Sequence, residues 1–106
     1  MTAPSTPAFA VVVPLHDKGR HIERALRSIA AQTLAPAEII VIDDASTDDG
    51  PGIVAAFPGV RLLRRSEPGP GGYAARNLGM REAAAPWIAF LDADDAWAPE
   101  HLATLA

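Results

Sequence analysis

Two groups of carboxylates carry the chemistry that this sequence offers. Asp43 and Asp44 close the run EIIVIDD, and Asp92, Asp94 and Asp95 close the run WIAFLDADD. Acids directly after apolar strands are costly to bury unless something pairs with them. A divalent cation is a natural partner. Carboxylate oxygens suit Mg²⁺ or Mn²⁺, and such ions usually also hold substrate phosphates. An Asp-x-Asp on a tight turn lets two carboxylates converge on one ion and its diphosphate. The plainer reading makes these residues turn formers and helix caps, with Asp95 ahead of a helix that opens at Pro99. Two acid groups at two strand ends favour the ligand reading.

The elements that position them follow from periodicity. Phe9 to Val13 is a short apolar run with β-branched residues, bounded by Pro14, which predicts a strand buried on both faces. Ile22, Ala25, Leu26, Ile29 and Ala30 form a helical stripe, with Arg20, Glu23, Arg24 and Arg27 opposite, and the helix ends before Pro36. A second buried strand ends at Asp43. In the turn-rich DASTDDGPG, Asp48 or Thr47 is expected to cap a short helix over Ile53 to Phe57, stopped by Pro58-Gly59. Val60 to Leu63 reads as a third strand, and EPGPGG as a loop. Tyr73 to Ala84 reads as a helix with Ala74, Ala75, Leu78 and Ala83 as its small apolar face. Trp87 to Leu91 is a fourth strand, and a last helix starts at Pro99. This alternation predicts an α/β fold: a parallel sheet with helices on both faces. Ligands of open α/β sheets bind at the carboxyl ends of the strands, where both acid groups fall.

Composition narrows the function. A length of 106 residues fits one domain and excludes a two-domain enzyme within this chain. Nearly half the residues, 49%, are hydrophobic, enough for a core. Nine basic against 13 acidic residues, net charge -4, argue against nucleic acid as a partner. The absence of Cys excludes disulfides, thiolate zinc sites and cysteine nucleophiles. No apolar run approaches the roughly 20 residues of a membrane helix, and MTAPSTPAFAVVVP lacks the basic start of a signal peptide. A cytoplasmic protein is expected, with contact at the inner face of the membrane left to further sequence. Residues 1–7 read as a loose tail. Leu102 and Leu105 look like the opening of a longer helix, so residues 8–106 are expected to be part of a larger domain.

Other residues read more plainly. His21 and His101 are expected on helix surfaces, and three scattered His make no zinc site. Arg61, Arg64 and Arg65 are expected to form a solvated edge of the third strand rather than a phosphate site. Trp87 is expected in the core, and Trp97 packed under the last helix. The run from Gly69 to Ala74 reads GxGxxA, a dinucleotide fingerprint, but polar residues separate it from the preceding strand and Pro70 removes a backbone donor.

Together these residues resemble the nucleotide-binding half of a family 2 glycosyltransferase of the GT-A fold. The segments that carry the resemblance are VVVPLHDKGRHIERALRSIAAQTLAPAEIIVIDDASTDDG and GGYAARNLGMREAAAPWIAFLDADDAWAPEHL, nearly the whole chain. The resemblance implies a Rossmann-like sheet ordered 3-2-1-4 and transfer of a sugar from a nucleotide-sugar donor, with UDP favoured and Mg²⁺ or Mn²⁺ as cofactor. By position, Pro14, Leu15 and His16 match the loop that holds the base, and Asp44 matches the base-recognising Asp. Gly71-Gly72, Arg76 and Asn77 match the stretch beside the diphosphate and ribose. Asp92 falls on the ribose side, and Asp94 or Asp95 on the metal. Where the family commonly has an aromatic, often Tyr, then Asn, this chain has His16-Asp17, and a His can still stack on a base. The catalytic base and the acceptor site, for a saccharide or lipid-linked acceptor, are expected beyond Ala106, so these 106 residues are expected to bind donor without transferring sugar. Self-association is expected through the edge of the fourth strand. The competing readings are a receiver-like module, which wants a Lys at a later strand end near the acids, and a dinucleotide-binding domain. The sole Lys is Lys18, after the first strand.

Overall fold

The computed structural model describes residues 7–67 and 73–106. Four strands, β1 (Phe9–Leu15), β2 (Glu38–Asp44), β3 (Val60–Arg65) and β4 (Trp87–Phe90), alternate with α1 (Gly19–Ala30), α2 (Gly50–Ala55), α3 (Tyr73–Glu82) and α4 (His101–Leu105). The strands are parallel and ordered β3-β2-β1-β4, the order implied by the resemblance.

The two-residue period of a strand sorts side chains onto two faces. Val11, Val13 and Leu15 of β1 and Val41 of β2 join Ile22, Leu26 and Ile29 of α1 and Val54 of α2 in one cluster, which also holds Leu102 of α4. The alternate residues Val12, Ile40 and Ile42 join Ala75 of α3 in a second cluster, with Leu63, Leu78 and Ile88 packed against it. Helices therefore cover both faces, as the alternation of elements requires. The α3 layer lies close on the sheet. A Cβ at Gly79 would stand 2.3 Å from Val12 Cγ1, so only a glycine fits there.

Several boundaries move from the expected ones. Pro14 does not end the first strand. It lies inside β1, opposite Ile42. Its missing N–H has the same parity as Val12, whose carbonyl accepts from Leu91 N–H at 3.1 Å, and so points to the side where β4 has already ended at Phe90. No ladder bond is lost. The third strand runs two residues past Leu63, to Arg65. The short helix starts at Gly50 with Pro51 in its first turn, a position where proline is well accommodated. Ala30 lies outside the buried stripe of α1 and is exposed. Trp87, expected in the core, is 59% exposed. It opens β4, the edge strand that pairs with β1 alone among the described residues. The last helix has Glu100 at its N-cap and no side-chain cap bond, so Asp95 does not cap it.

Candidate functional site

The carboxyl ends of the four strands bring together residues far apart in sequence. Asp44 continues the face of Ile40 and Ile42, Arg65 that of Leu63, and Pro14 that of Val12, so all three fall on the α3 side of the sheet. Asp92 follows two residues after β4, and Arg76, in the first turn of α3, donates to its Oδ1 at 3.1 Å. In strand order, Arg65, Asp44, Pro14 and Asp92 thus form one band along the sheet edge. Leu15 is not brought to it. Its side chain is fully buried on the α1 side.

Asp43 and Asp44 are buried, at 0% and 4% exposure, and both meet arginines of β3. Asp44 stands opposite Arg65 in the register and forms an ion pair with it through Oδ1. Asp43 stands opposite Arg64, whose Nε lies 3.4 Å from Oδ2, and accepts from Ser46 N–H at 3.4 Å. β3 is an edge strand of the sheet, with Arg61 and Arg64 exposed as expected, and all three arginines also make ion pairs there, since Arg61 bonds Glu82 of α3 at 2.9 Å. The cause is register: parallel pairing sets each β3 arginine beside an acid of β2 or under α3.

The loops after β1 and β2 are laced together. His16 Nδ1 lies 2.7 Å from the Asp44 carbonyl, an acceptor, so the ring donates from Nδ1. Its Nε2 lies 3.5 Å from Asp17 Oδ2. Asp17 N–H donates to Ser46 Oγ at 3.0 Å, and Asp17 Oδ1 accepts from Thr47 N–H at 2.6 Å and from Thr47 Oγ at 3.2 Å. The Thr47 N–H is the main reason that the Asp17 carboxyl is held below its ordinary 3.8. Asp48 accepts from Gly19 N–H and Gly50 N–H, both at 2.9 Å, and so joins the starts of α1 and α2. Asp17 (φ 49°) and Ala45 (φ 59°) adopt the left-handed conformation that this crossing needs. Asp17 was legible only as a departure from the family pattern; the tolerance of Asp for the left-handed region is the signal that points to it.

At the end of β4, Asp92, Asp94 and Asp95 are exposed and offer carboxylate oxygens that all lie within 4.8 Å of one another. Asp95 N–H donates to the Asp92 carbonyl at 3.0 Å, which closes the turn. Lys18 Nζ lies 3.6 Å from Asp94 Oδ2, and Arg24 donates to the Asp94 carbonyl at 3.0 Å. Lys18 thus reaches the acids, from the loop after β1 rather than from a later strand end. Beside the acids opens a cleft of about 320 Å³, lined by Arg76, Phe90, Leu91, Asp92, Asp95 and Trp97 among others. Trp97 packs against the larger core cluster, as expected, and stacks on His101 with ring centroids 4.5 Å apart. His101 is consequently half-buried rather than on the helix surface. Gly71, Gly72 and the GxGxxA run from Gly69 as far as Gly72 lie outside the described residues, and the run's last two residues, Tyr73 and Ala74, open α3.

A four-stranded parallel α/β layer, with acids at the carboxyl ends of the two strands that flank β1, is the Rossmann-like half of a GT-A domain. The chain belongs to glycosyl transferase family 2, whose family model matches residues 10–106. It is 41% identical over 100 residues to the succinoglycan biosynthesis protein ExoO of Rhizobium meliloti, covering 91% of this chain and 28% of that protein. It is 36% identical over 105 residues to the uncharacterized glycosyltransferase YibD of Escherichia coli, covering 95% of this chain and 30% of the relative. The crystal structure of S. aureus TarS 1–349 superimposes with a TM-score of 0.86 at 27% identity, over 92% of this chain and 31% of that one. TarS has also been solved in complex with UDP and with UDP-GlcNAc. The chain spans less than a third of the length of these relatives. Among the described residues, no helix is long and apolar enough to cross a membrane.

Proposed function

We propose that this chain binds the nucleotide-sugar donor of a glycosyltransferase, a UDP-sugar by preference, with Mg²⁺ or Mn²⁺ held by Asp94 and Asp95 beside Asp92. The observation that carries the reading is the convergence of three carboxylates within 4.8 Å at the end of β4, on the same sheet edge as Asp44. The donor set fits the ion. It consists of hard oxygen ligands that solvent reaches; Lys18 and Arg76 meet its carboxylates through partly exposed pairs, and Arg24 bonds the Asp94 carbonyl. Such pairs are worth about 0–1 kcal/mol and yield readily to a divalent charge.

The band along the sheet edge then divides the work. Asp44 lies on the strand next to β1, and Asp92 follows the strand on the other side of β1. Two strand spacings of about 4.8 Å separate them, so a base at Asp44 leaves its ribose and diphosphate running past Pro14 and His16 toward Asp92. Asp44 accepts a hydrogen bond from the base. Asp92 faces the ribose, and Arg76 brings a positive charge beside the diphosphate. Asp94 and Asp95 hold the ion, which when bound neutralises charge on the departing nucleoside diphosphate. UDP and UDP-GlcNAc bound to TarS support this class of donor. The acceptor, a saccharide or a lipid-linked one, falls to segments that the relatives carry beyond the matched length, and so does the catalytic base.

Calorimetric titration with UDP, with and without Mn²⁺, tests the reading beside Asp94→Ala. The expected result is Mn²⁺-dependent binding that weakens by about tenfold or more, about 1.4 kcal/mol, in a variant that remains folded. No binding of UDP to the folded protein with Mn²⁺ present would overturn it.

A further inference from the structure

We infer that Arg65 is a second base-reading residue of the donor site. Asp44 accepts from a ring N–H of the base while Arg65 donates to the carbonyl beside that N–H. The inference rests on the donor reading above and adds to it a residue that sequence alone assigned to a solvated edge.

Three observations carry it. Register sets Arg65 directly opposite Asp44, and the two side chains meet through Arg65 Nη1 and Asp44 Oδ1. Both continue the α3-facing side of the sheet, with Asp44 at 4% exposure and the Arg65 side chain at 27%, so the guanidinium is anchored yet reaches solvent at the strand ends. The neighbouring rung provides the contrast. Arg64 and Asp43 form the same kind of pair one residue earlier, on the α1 side, and the Arg64 side chain is 62% exposed.

The chemistry follows from donor and acceptor counts. A carboxylate only accepts, and a guanidinium only donates, from five N–H groups in a fixed fork. Side by side, they present an acceptor next to a donor. A base edge with an N–H beside a carbonyl satisfies both at once. Uracil has that edge. Guanine has it too, so GDP is titrated beside UDP to tell the two sources apart. A ligand that engages only Asp44 leaves the Arg65 fork without a share in the base.

The test uses the full chain, with Mn²⁺ present, and compares Arg65→Met with Arg64→Met. UDP and pyrophosphate are the probes, since pyrophosphate has no base. Arg65→Met is expected to weaken UDP, or GDP if that is the preferred diphosphate, by about tenfold or more, the loss typical of a charged hydrogen bond. It is expected to leave Mn²⁺-pyrophosphate binding within about twofold, and Arg64→Met to leave both within about twofold. Arg65→Lys keeps a charge against Asp44 and lacks the fork. It serves if Arg65→Met fails to fold, and the same selective loss is expected of it. Unchanged nucleotide binding in the folded Arg65 variants overturns the inference and leaves the donor reading standing. An equal fall in pyrophosphate binding also overturns it, because the role of Arg65 would then be structural. A wild-type protein that binds Mn²⁺-pyrophosphate but neither nucleotide overturns the donor reading and this inference with it.

Discussion

The two acid groups differ in every physical respect except composition. At the end of β2, Asp43 and Asp44 are buried and meet arginines supplied by β3. At the end of β4, Asp92, Asp94 and Asp95 are exposed, crowd their oxygens within 4.8 Å, and meet Lys18 and Arg76 only through partly exposed pairs. The first group is neutralised by the protein itself, and its geometry is set before any ligand arrives. The second meets its cations, Lys18, Arg76 and Arg24, at the exposed surface, where solvent screens each contact and a divalent ion competes well with it. Position at a strand end identifies both groups as candidates; burial and the source of countercharge separate a buried, internally paired group from an exposed one that is open to a ligand.

Stability measurements sharpen that contrast most strongly. Replacing Asp43 by Ala removes a buried acceptor from Ser46 N–H and Arg64, and urea unfolding should show a loss of about 1–3 kcal/mol. Asp95→Ala should stay within about 0.5 kcal/mol of wild type, since it touches an exposed cluster of like charges. Equal losses would erase the distinction between the two ends.

Lys18→Met probes the weaker countercharge at β4. The pair is partly exposed, with Lys18 Nζ 3.6 Å from Asp94 Oδ2, and its loss should change stability by no more than about 1 kcal/mol. Mn²⁺ should bind more tightly to the variant, because a competing cation has left. Weaker Mn²⁺ binding, measured by calorimetry, would instead make Lys18 part of the metal site.

The smallest effect concerns pH. The Asp17 carboxyl lies below its ordinary 3.8 in the folded state, chiefly through the Thr47 N–H. A depressed folded value means that the unfolded chain binds the extra proton first. Its contribution is therefore complete above the ordinary value and is lost as pH falls through the lowered one. Urea midpoints followed downward from pH 5 should decline less steeply in Asp17→Asn than in wild type; identical slopes would show that the loop lacing is insensitive to this charge.

Much of the site was legible before the fold was known. Apolar runs such as VVV and IIVI are short, β-branched and separated by a helical stripe, so the alternation of elements and the place of the acids after the strands followed directly. Arg61 and Arg64 are exposed on the edge strand, as expected, but the acids that the β3 arginines meet were not legible, because a charged strand looks the same whether its neighbour is water or another strand's carboxylates. Trp87 was misread because it opens an edge strand, where the sheet offers an apolar side chain a neighbouring strand on one side only. Pro14 looked like a strand end, and only the shortness of β4 leaves its side of β1 without a bond to lose.

The sequence by itself determined the facing of each side chain within its own strand, since a two-residue period is a local property of extended backbone. It therefore already placed Asp44 on the face opposite Asp43. Only the tertiary structure decided which residue each of them meets. Asp44 and Arg65 are 21 residues apart, and their pairing depends on strand order and register, which are fixed by how α1, α2 and α3 pack on the two faces of the sheet.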